Sequence, residues 1–265
     1  MTTIPYIKAH GAMNDFLLTW RQDAPEGDRP AMARAICERH TGIGADGWML
    51  VDPTPEDGSD AAIQLYNSDG SEAEISGNGT RCAAALLVDR GHAGETVRIR
   101  TGAGLKTLRV LDRKGVSFNF EMNMGRAEIR EEHCELQLWS GHRDSVIVWV
   151  GNPQCAVPVD NFDFDWRAVG EAIEHHPKFP NRTNVSFLRR VDPHTIDVRF
   201  WERGAGETMS SGTGSTGAAA AAIVRKWVES PVVVRTPAGP IEIRQEEDMY
   251  LIGPAQLIGH GEFYV

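Results

Sequence analysis

Cysteine is scarce in this sequence, with four residues among 265. The four are Cys37, Cys82, Cys134 and Cys155, and no two of them have the CxxC spacing. No histidine cluster accompanies them. Zinc sites and disulfide frameworks both need cysteines at recurring spacings, so the sequence predicts neither. This cysteine usage favours a reducing, cytoplasmic compartment.

Positive charge and long apolar runs are also in short supply. Lys and Arg total 27 against 37 Asp and Glu, for a net charge of −10. This balance argues against nucleic acid or an anionic membrane as the main partner and favours a small molecule. The longest apolar run, residues 218–224, is far too short to span a bilayer, and the N-terminal residues lack the apolar core of a signal peptide. We therefore expect a soluble cytoplasmic protein.

Motifs for the common cofactors and nucleophiles are missing. The stretch GAGET at 204–208 does not follow the GxGxxG dinucleotide fingerprint, and GxSxG is absent. No HxxxH spacing indicates a metal site, and no lysine motif indicates pyridoxal phosphate. The sequence therefore predicts chemistry without a cofactor and without a metal.

Short β-rich runs separated by Gly, Pro and Asp dominate the chain. They lie at 16–20, 48–51, 62–66, 96–100, 116–120, 146–150, 195–200, 231–235 and 240–244. Helical patterns are fewer and cover 29–40, 78–90, 167–176 and 212–228. The strands follow one another too closely for a βαβ succession. The pattern predicts an α+β protein with mainly antiparallel sheets.

One device occurs twice: ISGNGTRCAAALL at 75–87 and SSGTGSTGAAAAAIV at 210–224. Each copy has a serine, a glycine-rich corner and an alanine-rich helix, and Ser211 follows Ser76 by 135 positions. Alanine allows strands to approach a helix closely from every side. The sequence therefore predicts a duplication, with two pseudo-symmetric lobes in which a sheet curls round a central helix. The boundary is expected near residues 115–120.

The repeated corner has a chemical use. Glycines let the backbone turn sharply and expose successive N–H groups, and the helix that starts there adds its positive end. Each corner is thus a potential nest for an anion such as a carboxylate. Removing a proton α to a carboxylate adds negative charge, which such groups stabilise. Two opposed corners would also place one proton acceptor and one donor on opposite faces of the carbon.

Seven stretches, in this order, resemble the diaminopimelate epimerases over essentially the whole chain. They are HGAMNDF 10–16, GIGADG 42–47, NSDGSEAEISGNGTRC 67–82, GNPQC 151–155, RTNVSF 182–187, ERGAGET 202–208 and SGTG 211–214. The resemblance implies two α+β lobes with a closing cleft between them, and a last strand that returns to the first lobe. The implied lobes are residues 1–118 with about 257–265, and residues 119–256. It also implies a homodimer.

The resemblance further implies a set of substrate-contacting positions. They are Asn14, Asn67, Gly77, Asn78, Asn152, Asn184, Glu202, Arg203, Gly212 and Thr213. Diaminopimelate carries an ammonium and a carboxylate at each end, so a stereospecific site must hold the non-reacting end. Glu202 and Arg203 can pair with the distal ammonium and carboxylate. Asparagines offer donors and acceptors together.

The chain departs from the family at the two catalytic positions. The family uses a pair of cysteines as its two bases, and Ser76 and Ser211 stand in their place. Cys82 and Cys155 match non-catalytic cysteines, and Gln154 stands where the family generally has histidine. A helix N-terminus can make a thiol with a pKa of about 8.5 a thiolate at neutral pH, but it cannot make a serine alkoxide. The replacement predicts a much slower two-base reaction.

Four explanations of the serines remain open. The protein epimerises diaminopimelate, with the serines relaying protons to Glu74, Asp69, Glu207 or water. Alternatively, it is a related isomerase or lyase acting on another small amino acid or carboxylate, or an inactive homologue that binds without turnover. A fourth explanation is that the serines were introduced to trap a complex.

Overall fold

The computed structural model describes residues 2–265, which form two compact units. One unit comprises the chain up to Met122 together with Gly253–Val265, and the other is Asn123–Ile252. Both units consist mainly of strands, and each has one long helix in its interior. Among the described residues, no helix has the length and apolar character needed to cross a membrane.

The first unit contains most of the N-terminal half of the chain. Its strands are β1 (Thr3–Gly11), β2 (Asn14–Trp20), β3 (Gly47–Asp52), β4 (Ala61–Asn67), β5 (Glu72–Ala73), β6 (Thr96–Thr101), β7 (Gly104–Lys114) and β8 (Ser117–Gly125), which runs across the boundary. Its helices are α1 (Arg29–Cys37) and α2 (Gly77–Asp89). A 3₁₀ turn at Arg21–Asp23 follows β2.

The second unit contains the remaining elements. Its strands are β9 (Glu128–Leu138), β10 (Gly141–Trp149), β11 (Pro153–Pro158), β12 (Asn184–Asp192), β13 (Thr195–Glu202), β14 (Gly206–Thr208), β15 (Val232–Thr236), β16 (Gly239–Gln245) and β17 (Met249–Tyr264). Its helices are α3 (Trp166–Glu174) and α4 (Gly212–Val224). The C-terminal part of β17 pairs antiparallel with β1, from Thr3 opposite Tyr264 to His10 opposite Gln256.

The two units repeat one pattern of strand pairing. In the first, β1–β2, β3–β4, β4–β5 and β6–β7 are antiparallel, whereas β2–β3 and β4–β6 are parallel. In the second, β10–β11, β12–β13, β13–β14 and β15–β16 are antiparallel, whereas β11–β12 and β13–β15 are parallel. The internal repeat predicted from the sequence is thus present in the connectivity, with α2 and α4 at equivalent places.

Burial of α2 and α4 on every side explains their composition. Eleven consecutive residues are buried in each helix, from Gly77 to Leu87 and from Gly212 to Ala222. A helix in such a position must be small on all faces, because a large side chain would push a surrounding strand away. Helix α4 contacts β9 to β13, β15 and β16. The alanines therefore let the sheet close tightly around the helix.

The outer helices α1 and α3 each cover one side of their unit. Helix α1 has proline in its first turn and an Asp28 side chain that accepts the Ala31 N–H at 3.0 Å. Its buried face is Ala33, Ile36 and Cys37, which pack with Trp48 and Leu50. Helix α3 buries Trp166 and Val169 against Phe187 in the second core.

The structure confirms the α+β class, the mainly antiparallel pairing and all four helices. Each of the nine strand-like runs overlaps an observed strand. Seven strands that the sequence did not indicate are β1, β5, β7, β9, β12, β14 and β17, and β11 was read only as the end of a Gly-Asn turn. The predicted domain bounds and the cleft between two lobes stay predictions.

Candidate active site

Ser76 begins helix α2 as its N-cap. Its backbone is extended, with φ −127° and ψ 119°, and its Oγ accepts the Gly79 N–H at 3.1 Å. The Ser76 carbonyl accepts the Thr80 N–H at 2.8 Å and the Thr80 hydroxyl at 2.7 Å. A serine N-cap satisfies one of the free donors at a helix start. The hydroxyl therefore lies at the positive end of the helix dipole.

Ser211 begins helix α4 in the same way. Its φ is −139° and its ψ 125°, and its Oγ accepts the Gly214 N–H at 3.1 Å. The Ser211 carbonyl accepts the Ser215 N–H at 2.9 Å. Gly214 has no room for a side chain, because a Cβ there would lie 2.8 Å from Cδ1 of Phe200. Glycine is thus required for the close approach of this corner to β13.

The glycine corners leave backbone donors available at both helix starts. In residues 2–265 no acceptor is assigned to the N–H groups of Gly77 and Asn78, nor to those of Gly212 and Thr213. Each is among the first residues of its helix, where no preceding turn supplies a carbonyl. Both corners are therefore built to receive an anion, as the sequence predicts.

Three side chains form a hydrogen-bonded row beside the first corner. Asn14 donates to Oδ2 of Asp46 at 2.6 Å, and its Oδ1 accepts from Nδ2 of Asn78 at 3.2 Å. The Asn78 Oδ1 accepts from Nη2 of Arg81 at 2.6 Å. Two predicted site residues are thus brought together, and both amides have their orientation set by charged neighbours.

Arg81 is fully buried, although it lies in an alanine-rich helix. Besides Asn78 it donates to the Pro254 carbonyl at 3.1 Å and to the Gly77 carbonyl at 3.3 Å. Burial lowers the pKa of its guanidinium to about 10, so the group stays charged at neutral pH. The charge is solvated by oxygens of the protein and adds to the positive character of the α2 start.

Asn67 lies at the end of β4, on the turn that precedes β5. Its Nδ2 donates to the Ser71 hydroxyl at 3.0 Å. Next to it, the Ser68 N–H bonds to the Asp46 carbonyl at 3.0 Å, while the Asp46 side chain holds Asn14. Asp46 therefore links the region of Asn67 to that of Asn14. The sequence analysis quoted Asp46 within GIGADG without assigning it a role.

In the second unit, Asn152 connects to the start of α4. Its Nδ2 donates to the Thr213 hydroxyl at 3.3 Å, and its Oδ1 accepts from Nε2 of Gln154 at 2.8 Å. Gln154 is 1% exposed, and its Oε1 is buried without a hydrogen-bond partner. Such a buried acceptor calls for a donor that binds at the site. Asn152 and Thr213 are thus brought together as expected.

Asn184 and Arg203 form a second group. The Asn184 Oδ1 accepts the Arg203 N–H at 3.1 Å, and its Nδ2 donates to the Pro153 carbonyl at 2.9 Å. Arg203 also donates from Nη1 to the Asn181 carbonyl at 3.4 Å. Glu202, the last residue of β13, pairs with Gly206 across a tight turn. The structure places Arg203 on the exposed side of this turn, with donors left for a ligand.

Two of the carboxylates considered as proton relays are bound elsewhere. Hydrogen bonds from the Ser71 hydroxyl and N–H lower the pKa of Asp69, which makes it a weaker proton acceptor. Glu207 is held by Arg167 in a bidentate pair of 2.6 and 2.8 Å. Glu74 is exposed and lies two residues before Ser76. Glu74 and water are therefore the better candidates.

The cysteines do not supply a replacement base. All four are buried and free. Burial raises the pKa of Cys82 and of Cys155 to about 12, so both are thiols at neutral pH. The expectation that Cys82 is a small packed residue is confirmed by its complete burial.

Comparisons with known proteins agree with the local geometry. The sequence model described as diaminopimelate epimerase matches residues 6–130 and 146–258. The diaminopimelate epimerase of Pelotomaculum thermopropionicum is 36% identical over 97% of this chain and 98% of its own length. That of Desulfitobacterium hafniense is 34% identical over 96% of both chains.

Solved structures with low identity share the fold. A hydroxyproline epimerase from Agrobacterium vitis superposes with a TM-score of 0.76 at 17% identity, covering 98% of this chain and 92% of its own. A PhzF-family phenazine biosynthesis protein of Bacillus anthracis has a TM-score of 0.75 at 15% identity and full coverage of both chains. A methylitaconate-delta-isomerase has a TM-score of 0.68 at 16% identity, covering 98% and 95%.

Proposed function

Because this chain belongs to the diaminopimelate epimerase family, we propose that it interconverts LL- and meso-diaminopimelate by proton transfer at one α-carbon. The reaction would serve the synthesis of lysine and of peptidoglycan precursors. The observation that carries the proposal is the pair of serine-capped helix starts, each with two backbone donors available for a carboxylate. The family match covers both of them.

The proposal includes the two-lobe arrangement predicted from the sequence. The reacting carboxylate accepts N–H groups of Gly77, Asn78, Gly212 and Thr213, which stabilise the charge that develops when the α-proton leaves. Ser76 and Ser211 then act on opposite faces of the α-carbon. The distal end is held by Glu202 and Arg203, with the asparagines completing the site. The resemblance extends the proposal to a cytoplasmic homodimer.

The proton steps balance without a cofactor. On one face, a serine oxygen takes the α-proton while its own proton passes to water or to a carboxylate such as Glu74. On the other face, the second serine donates its proton to the carbon and is reprotonated from solvent. A helix dipole contributes up to about 2 kcal/mol, which is far too little to form an alkoxide. We therefore propose that catalysis is slow and that proton removal limits the rate.

Solvent deuterium exchange tests the proposal directly. LL-diaminopimelate incubated with the protein in deuterated water should gain deuterium at one α-carbon and accumulate the meso isomer, as followed by mass spectrometry and chiral chromatography. The matched control is the Ser76→Ala, Ser211→Ala double variant, which should abolish exchange. Absence of exchange by the unaltered protein at high concentration would reject the proposal.

The remaining explanations predict other outcomes of the same preparation. A related isomerase or lyase would be stabilised against thermal unfolding by another small carboxylate but not by diaminopimelate. An inactive homologue would be stabilised by diaminopimelate with no turnover. The oligomeric state is measured independently by light scattering after gel filtration.

A further inference from the structure

Glu174 is a buried carboxylate at the last position of α3. Its residue is 3% exposed, and each of its oxygens accepts a hydrogen bond. Oε2 accepts the indole N–H of Trp201 at 2.8 Å. Oε1 accepts the Gly204 N–H at 3.0 Å and Nη1 of Arg182 at 3.2 Å. A buried carboxylate is costly unless it is paired and hydrogen-bonded, and here three donors meet that need.

The partners of Glu174 enclose one short turn. Trp201 comes directly before Glu202, and Gly204 directly after Arg203. The turn closes with the Ala205 N–H on the Glu202 carbonyl at 3.0 Å, and Gly204 has a left-handed φ of +76°. A single carboxylate thus holds the backbone on one side of the two charged residues and the tryptophan on the other.

The same carboxylate also anchors the loop that contacts the Arg203 side chain. Arg203 donates to the carbonyl of Asn181, whose neighbour Arg182 forms the ion pair with Glu174. Arg182 has a left-handed φ of 58°, so this loop needs contacts that hold it in place. Both supports of Arg203 within reach of α3 therefore depend on Glu174.

Packing alone does not account for an acid at this position. Helix α3 already presses on Trp201 through Gly170, where a Cβ would lie 2.8 Å from the Trp201 Cβ. An apolar residue at 174 would extend that contact without the cost of burying a charge. What only the carboxylate supplies is a set of directed bonds to the turn.

We propose that Glu174 is a positioning residue for recognition of the substrate's distal end. It holds the turn that carries Glu202 and Arg203 in the conformation that grips the second ammonium and carboxylate of diaminopimelate. The inference rests on the proposed function for the identity of the ligand. It adds a residue that does not touch the ligand but sets how well the distal end is held.

The first test is Glu174→Gln, with Glu171→Gln as the matched control. The amide keeps the size but turns one acceptor into a donor, which faces N–H groups that are already donors. KM for LL-diaminopimelate should rise about tenfold, the effect of one or two lost charge-assisted bonds, while kcat changes less than about threefold. Glu171 is exposed on the same helix, and its variant should match the unaltered protein. A fall in kcat with unchanged KM would overturn the inference.

A ligand with only one amino-acid end separates positioning from general damage. The dissociation constant of diaminopimelate should rise about tenfold in Glu174→Gln, whereas that of L-norleucine should change less than about twofold. Equal losses for the two ligands would mean that the variant disturbs the whole site, and would refute a distal-end role. Trp201→Phe, which removes one bond and keeps a ring, should raise KM by a smaller factor of about three.

Amide hydrogen exchange tests the positioning without any turnover. In Glu174→Gln the peptide covering 202–206 should exchange at least about tenfold faster than in the unaltered protein, while the peptide covering 77–80 should not change. Unchanged exchange at 202–206 would refute the inference. Failure of the unaltered protein to turn over diaminopimelate would count against the proposed function instead, because the exchange measurement does not depend on that ligand.

Discussion

Arg81 donates a 2.6 Å hydrogen bond to Oδ1 of Asn78 from within a helix whose interior residues are otherwise mostly small and apolar. The pair couples a buried cation to a predicted ligand-binding amide. Since Asn78 in turn donates to Asn14, the orientation of two amides depends on one guanidinium. Arg81 therefore supports the first half of the proposed site.

Replacing Arg81 by methionine should destabilise the protein. Arg81→Met leaves the carbonyls of Gly77 and Pro254 and the Asn78 Oδ1 without their donor, and we expect the free energy of unfolding to fall by about 2–4 kcal/mol. Urea unfolding measures the loss. Arg90→Met is the control, because Arg90 lies at the end of the same helix with a side chain that is 50% exposed. Equal effects of the two substitutions would contradict the support assigned to Arg81.

Restoring thiols should accelerate the reaction. Ser76→Cys with Ser211→Cys places groups with an ordinary pKa of about 8.5 at two helix starts, and we expect deuterium exchange into LL-diaminopimelate to speed up by about 100-fold or more. Ser215→Cys, one turn into α4, is the control and should have little effect. A double variant no faster than the parent would show that the serines do not occupy the catalytic positions.

Gly214→Ala should damage the second helix start. The new Cβ would lie 2.8 and 2.9 Å from ring atoms of Phe200 and 2.9 Å from the Ser211 Cβ, and Phe200 is buried. We expect a loss of about 1–3 kcal/mol in the free energy of unfolding and slower exchange of substrate protons. Gly94→Ala, which meets nothing within 4 Å, serves as the control in the same unfolding assay. Tolerance of alanine at 214 would mean that the corner is looser than described.

Acid should weaken the protein partly through Asp15. Burial on its own raises the pKa of Asp15, but hydrogen bonds and charges from Arg39 and Lys8 outweigh it, and the net pKa lies below its ordinary value. The folded state therefore favours the carboxylate. The stability it contributes is present above the ordinary value of about 4 and is lost as pH falls through the lowered pKa.

The comparison of Asp15→Asn with the parent checks this sign. The difference in the free energy of unfolding should be largest between about pH 5 and 7 and should shrink below about pH 4. Asp112→Asn, at an exposed position, should show no such dependence. A difference that grew toward low pH would reverse the assignment.

Much of the fold could be predicted because local rules and packing agree. Ser76 and Ser211 stand before glycines and alanines, so both the cap and the buried helix can be read from the sequence. Strands β7 and β9 escaped notice because their exposed faces carry charged residues, and in β7 only Leu108 is buried. Strands β5 and β14, with two and three residues, are shorter than any periodic pattern.

The supporting residues of the site could not be predicted for a different reason. Arg81 bonds to Pro254, 173 positions away, and Glu174 bonds to Gly204, 30 positions away. No spacing rule links such partners, since they meet only when the chain is folded. A charged residue in an otherwise apolar helix, as at Arg81, was the one signal present in the sequence.

The deep burial of the native thiols gives the protein a practical property. Cys37, Cys82, Cys134 and Cys155 are all sheltered within the cores, and burial raises the pKa of each thiol. Alkylating reagents attack thiolates that solvent can reach. A single cysteine introduced at the half-exposed position 76 would thus react alone, so that a fluorophore or spin label could be attached there without first removing any native residue.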